Sequence, residues 1–117
     1  MFLGHFKLEV NGSVVDTGTT VIHPNAGNTK VVDGQQQLPV TGSDELVGKQ
    51  GTLDLFFRGV SVPINSNASG DAYYAEYGTW TITSGTGKYK GWKGGGRWAN
   101  AGTLSANNIE WDGYASY

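Results

Sequence analysis

Glu76 and Tyr74 are the side chains whose types and spacing most invite acid–base chemistry in this chain. They lie two apart in Ala72-Tyr-Tyr-Ala-Glu-Tyr77, which runs directly into Gly78-Thr-Trp-Thr-Ile-Thr83. There Trp80 and Ile82 alternate with threonines, the period-2 signature of a half-buried strand. Parity then puts Tyr74, Glu76, Trp80 and Ile82 on one face. If the strand face bearing Leu53, Leu55 and Phe57 points to the same interior, Trp98 follows on an adjacent strand, together with either Trp111 or its neighbours Glu110 and Asp112. The result is an aromatic hollow lined by Phe57, Trp80, Trp98 and Trp111, with one carboxylate and one phenol near its mouth. A concave apolar site with few polar anchors binds small organic molecules, and Glu76 could act there as general acid or base with Tyr74 polarising the substrate. The plainer reading makes Glu76 a solvated rim residue and the tryptophans ordinary core.

Other constellations carry less chemistry. His5 and His23 have no second ligand at a recognisable spacing, so no metal site is expected. Asp54 and Arg58 lie four apart on one strand face and read as exposed or cross-strand partners. Glu110 and Asp112 flank Trp111 in the manner of paired glycosidase carboxylates, but two acids on an edge strand are usually solvated. Gly85-Thr-Gly87 and Gly94-Gly-Gly96 precede no helix and are not phosphate loops. With no cysteine in the chain, a disulfide framework, a thiolate zinc site and a cysteine nucleophile are all excluded.

The elements that must position these residues are strands. Phe6-Lys-Leu-Glu-Val10 alternates cleanly up to Asn11-Gly12, the strongest hairpin signal in the chain, and the Val- and Thr-rich stretch from Ser13 to Ile22 follows. Pro24 to Asn28 reads as a loop, Thr29 to Val32 as a short strand, Asp33-Gly34 as a turn, and Gln35 to Val40 as a polar strand. Ser43 to Gly51 is expected to be a loop or one helical turn, capped by Ser43 and kept short by Gly48 and Gly51. Thr52 to Arg58 is a firm strand. Asn65 to Asp71 is a polar loop with a glycosylation-type tripeptide at Asn67-Ala-Ser69. After the Trp80 strand, Gly85, Gly87, Gly91, Gly94, Gly95 and Gly96 rule out a helix and predict a curved β segment over which Tyr89 and Trp92 pack. Arg97-Trp98, Thr103-Leu104, a turn at Asn107-Asn108 and the strand Ile109 to Tyr114 complete the chain. About eight strands at this spacing predict an all-β, small antiparallel closed β-barrel, with a sandwich as the alternative.

Composition agrees. The 117 residues form one domain, 1–117, and four Trp, six Tyr and four Phe with only 15 % charged residues argue against disorder. Nineteen glycines without a repeat fit turns and bulges. A net charge of −2 and no basic block give no case for nucleic acid. No apolar run approaches a membrane span, and Met1 to His5 is too short for a signal peptide, although a leader could have preceded it. Compartment stays open between cytoplasmic and exported bacterial.

The segment Gly78-Thr-Trp-Thr-Ile-Thr-Ser-Gly-Thr-Gly-Lys-Tyr-Lys-Gly-Trp-Lys-Gly-Gly-Gly-Arg-Trp98 resembles the GTW-x-I-x-x-GTG-x-[YF]-x-G segment of bacterial proteins in the allene oxide cyclase-like barrel superfamily. Gly51 to Val60 is similar to the strand that precedes it there. The resemblance implies a small antiparallel barrel of about eight strands with an apolar central cavity, often in a homodimer or homotrimer. Its members include plant allene oxide cyclases, the related dirigent proteins and bacterial Diels–Alder cyclases. No catalytic position of any one activity carries over. Two functions are therefore expected. One is a cofactor-free cyclase or isomerase that shapes a small apolar substrate for ring closure. The alternative is a non-catalytic small-molecule-binding or structural barrel, whose Tyr and Trp take a lipid-like or carbohydrate ligand or form an interface through Phe56, Tyr73 and Tyr77.

Overall fold

Asn11 and Gly12 both adopt positive φ (51° and 82°), and the chain reverses there between β1 (Phe2–Val10) and β2 (Ser13–Ala26). Positive φ at both central residues matches the right-handed twist of the flanking strands. Asp33-Gly34 repeats the device (50° and 78°) between the short β3 (Lys30–Val32) and β4 (Gln35–Gly48). The chain continues through β5 (Thr52–Ser66), β6 (Ala72–Gly85), a 3-10 turn at Gly87–Tyr89, β7 (Lys93–Gly102) and β8 (Asn107–Ser116). This computed structural model describes residues 1–66, 72–102 and 107–117. Thr103-Leu104 and Asn67-Ala-Ser69 lie outside them. Asn107-Asn108, expected as a turn, instead opens β8.

The fold is all-β, with 82 % of the described residues in strands of one antiparallel sheet ordered β1-β2-β4-β5-β6-β7-β8, β3 hanging from β4. The expected closure is not found. The sheet is an open half-barrel, and among the described residues β1 and β8 do not pair. Strand direction supplies a reason. Successive neighbours alternate along this path, so β1 and β8 run the same way and a seam between them would be a parallel pair in an otherwise antiparallel sheet. Parallel pairs are slightly less stable per residue.

A second correction falls on Ser43 to Gly51, where β4 continues to Gly48 in place of a loop or helical turn. Residues 40–47 of β4 are paired on both sides, to β2 and to β5. Two ladders of hydrogen bonds outweigh the local preference of Ser43 for a cap. Likewise β2 extends through Pro24 to Ala26 where a loop was expected.

The concave face carries the core in two clusters. Val40, Phe57 and Trp98 are buried together, with Ile22, Trp80, Ile109 and Trp111 packed against them. Leu53, Leu55 and Tyr89 form the other, flanked by Leu8, Leu46, Ile82 and Trp92. The expected inward face of Leu53, Leu55, Phe57, Trp80 and Ile82 is thus the one observed, and on β8 it is Trp111, not Glu110 or Asp112, that joins it. Where a curved β segment was expected after Gly85, the chain instead makes the 3-10 turn at Gly87–Tyr89, and Tyr89 and Trp92 meet edge to face at 4.9 Å, with Trp92 stacked on Tyr117 at 4.7 Å.

Glycine rows make room for the indoles. Trp98 pairs across the sheet with Gly78, which pairs with Gly59, and a Cβ on Gly59 would lie 2.8 Å from Trp98 Cζ2. Trp80 reaches in the same way over Gly96 to Gly113, where a Cβ would lie 2.7 Å from its Cζ2. Each ring therefore lies flat across a neighbouring strand, where only glycine leaves the depth required.

Candidate functional site

Of the residues expected to form the site, Phe57 and Trp98 are buried, while Trp80, Trp111, Tyr74 and Glu76 are half-buried. The four aromatic residues do come together. Phe57 meets Trp98 edge to face at 5.6 Å and Trp111 at 6.0 Å, and Trp111 lies 6.2 Å from Trp80 and 6.0 Å from Trp98. Two of the indoles have their N–H groups engaged: Trp98 Nε1 donates to the Arg58 carbonyl (3.2 Å), and Trp80 Nε1 to the carbonyls of Arg97 and Asp112 (both 3.1 Å). Indoles wedged over glycine and tied to backbone are fixed in place, and the space between them is occupied by one another.

Glu76 stands one row further along the concave face. Register places it between Ser61 on β5 and Asn100 on β7, with Tyr74 in the next row. Asn100 Nδ2 donates to Glu76 Oε1 (2.9 Å), and the opposite oxygen, Asn100 Oδ1, is buried without a partner among the described residues. Glu76 is therefore a member of a small polar layer with Asn100 and the buried Ser61. The layer holds one unfilled acceptor.

Two buried carboxylates that the sequence reading passed over lie toward the other end of the same face. Asp16 accepts the Tyr89 hydroxyl and the backbone amides of Thr17 (2.8 Å), Lys49 (2.9 Å) and Gln50 (3.2 Å). Burial pushes its pKa up, but the Tyr89 hydroxyl and these amides outweigh burial and hold it below the ordinary value. Burial, reinforced by the bond to Asp16 and its charge, raises the Tyr89 phenol. This arrangement ties β2, the β4–β5 turn and the 3-10 turn to one anchor. It is a latch.

Asp44 differs. It is the most deeply buried side chain described, 2 % exposed, and its recorded partner is the Thr20 hydroxyl. Register sets it between Ile22 on β2 and Leu55 on β5, which pairs onward with Ile82. Burial among apolar neighbours, eased in part by Thr20, pushes its pKa up to about 6. The signal for Asp44 was present in the alternation Val40, Gly42, Asp44, Leu46, hidden by reading this stretch as a loop. Asp16 likewise sits in phase with Thr20 and Ile22 on β2.

On the convex face two open hollows of about 400 and 420 Å³ meet at Tyr77, Gly78 and Thr79. The first extends to Arg97, Ala99, Glu110 and Asp112, the second to Thr41, Arg58 and Val60. Tyr77 and Phe56 are exposed here as expected (52 and 37 %), while the Tyr73 side chain lies outside the described set. Asp54 accepts the Ser84 hydroxyl at 2.7 Å, and Arg58 lies 5.7 Å over the Phe56 ring, so the two are not partners of each other. His5 and His23 are exposed, and no metal-holding cluster of His, Asp or Glu occurs among the described residues. No described helix is long and apolar enough to cross a membrane. Compared with known proteins, the chain matches no family model, no curated protein and no solved structure.

Proposed function

We propose that this chain is a non-catalytic binding or structural half-barrel, in which the concave aromatics are core and the convex face is the working surface. One observation carries the reading: Phe57, Trp80, Trp98 and Trp111 fill the concave face with their own rings, and both hollows open on the opposite side. A substrate cavity needs concave, largely enclosed apolar space. The resemblance of residues 78–98 to the allene oxide cyclase-like barrels belongs to this proposal, with the chain as an open variant of that architecture. Exposed Phe56, which lines neither hollow, supports self-association away from them.

A second reading, the cofactor-free cyclase or isomerase acting on a small apolar molecule, is favoured by a different observation. The layer of Glu76, Asn100 and nearby Tyr74 offers an acceptor, unfilled among the described residues, for a ligand hydroxyl. Native mass spectrometry of freshly purified protein, under gentle and then denaturing conditions, separates the two. The binding or structural reading predicts that no apolar molecule is released. A stoichiometric apolar ligand, lost from a Glu76→Gln variant that still folds, would establish the second.

A further inference from the structure

We propose that the convex face between β5 and β8 binds a neutral oligosaccharide, with Tyr77 as its stacking platform and Arg97, Glu110, Asp112 and Thr79 bonding its hydroxyls. This rests on the reading of the convex face as the working surface. Strand register makes that face an ordered array. Thr41, Arg58, Thr79, Arg97 and Asp112 are successive partners from β4 to β8, and Val60, Tyr77, Ala99 and Glu110 form the next outward row. At the usual strand spacing the longer row spans roughly 19 Å. That is the reach of a short extended oligomer.

Three features select the ligand class. Tyr77 is 52 % exposed, and Ala99 beside it on β7 is small enough to leave the ring face open. A pyranose presents an apolar C–H face that suits such a ring, with the phenolic edge still wet. Next, the ion pair found among the described residues joins Lys7 and Glu9 (3.3 Å), so no described carboxylate holds Arg58 or Arg97. Guanidinium groups only donate and carboxylates only accept, whereas each sugar hydroxyl does both. Finally, two arginines and two acids cancel across the groove, which gives an anionic or cationic ligand no net attraction. The open, shallow form excludes a small apolar molecule, which needs enclosure, and suits a chain whose far side stays in water.

The test is an amide NMR titration of the intact protein with cellohexaose, mannohexaose and hexa-N-acetylchitohexaose, with an anionic oligogalacturonate and an apolar dye run separately. Saturable shifts confined to Tyr77, Thr79, Arg97 and the Glu110–Asp112 stretch, for at least one neutral oligomer, are expected. Tyr77→Ala should weaken that binding by about tenfold or more, and Tyr77→Phe should retain it. Both variants lie on an exposed position and keep the fold, which their spectra will show. If no neutral oligomer binds, or only the oligogalacturonate does, the saccharide class is overturned. If in addition the dye perturbs the Trp80 and Trp111 indoles and leaves the convex face silent, the convex-face reading falls as well.

Discussion

The two ends of the concave face are held together by different physics. Around Trp98, rings lie over glycine and the polar atoms that matter are two indole N–H groups bonded to backbone carbonyls. Around Tyr89, the apolar cluster of Leu53 and Leu55 encloses a carboxylate latch at Asp16, and Asp44 is buried on the same face. The first end depends on shape and is indifferent to pH. The second depends on charge state, so acid and base should act on it selectively.

The largest expected effect lies at the first end. Trp98→Ala removes the ring that covers Gly59 and Gly78 and should destabilise by roughly 3–5 kcal/mol, the usual loss for a large buried aromatic. Gly59→Ala attacks the same contact from below and should cost about 1–3 kcal/mol, because the neighbouring strand and Trp98 must both shift. Urea unfolding at pH 7 measures both, and neither difference should change with pH.

Next comes the latch. Asp16→Ala strands the buried Tyr89 hydroxyl and three backbone amides and should lose about 2–4 kcal/mol at neutral pH. Tyr89→Phe removes one partner only and should lose about 1 kcal/mol. If Asp16→Ala were no worse than Tyr89→Phe, the amide contacts would not be contributing.

The two aspartates should pull stability in opposite directions with pH. Asp16 has a folded pKa below its unfolded value, so its contribution is present above about pH 4 and is lost as pH falls through the folded pKa. Asp44 is raised from 3.8 to about 6, so the folded state holds a proton that the unfolded state has released, and stability falls as pH rises from about 4 to about 6. That fall is on the order of 2–3 kcal/mol. Maximum stability is therefore expected near pH 4, and Asp44→Asn should abolish the decline between pH 4 and 6. A profile that rises over that interval in the wild type would contradict the burial of Asp44. The smallest effect belongs outside both clusters, where Tyr77→Ala should change stability by less than about 0.5 kcal/mol.

Much of this molecule was legible in its sequence, and the failures are physical. Period-2 alternation identified the inward set Leu53, Leu55, Phe57, Trp80 and Ile82, and Asn11-Gly12 and Asp33-Gly34 announced their turns because positive φ is a local requirement. Closure was not legible, since it depends on strand pairing between the first and last elements, a property of the whole path. Ser43-Asp-Glu misled for a related reason: a serine before acidic residues looks like a cap until two partner strands arrive on either side. The aromatic members of the expected site, Phe57, Trp80, Trp98 and Trp111, were assembled correctly, but whether rings leave a cavity or fill it depends on how far they lean over glycine. Asp16 and Asp44 were missed because a charged residue in a strand is ordinarily solvated. Only the fold supplies the amides and the hydroxyls that bury them.

The central claim is that the concave tryptophans are fixed core elements. Hydrogen exchange of the indole N–H groups, followed by NMR on the folded protein, tests it most directly. Trp80 and Trp98, each bonded to backbone carbonyls, should exchange orders of magnitude more slowly than free indole and be unmoved by added apolar compounds. Rapid exchange at either position, or shifts of both on adding an apolar compound, would mean that the concave face is open and admits ligands.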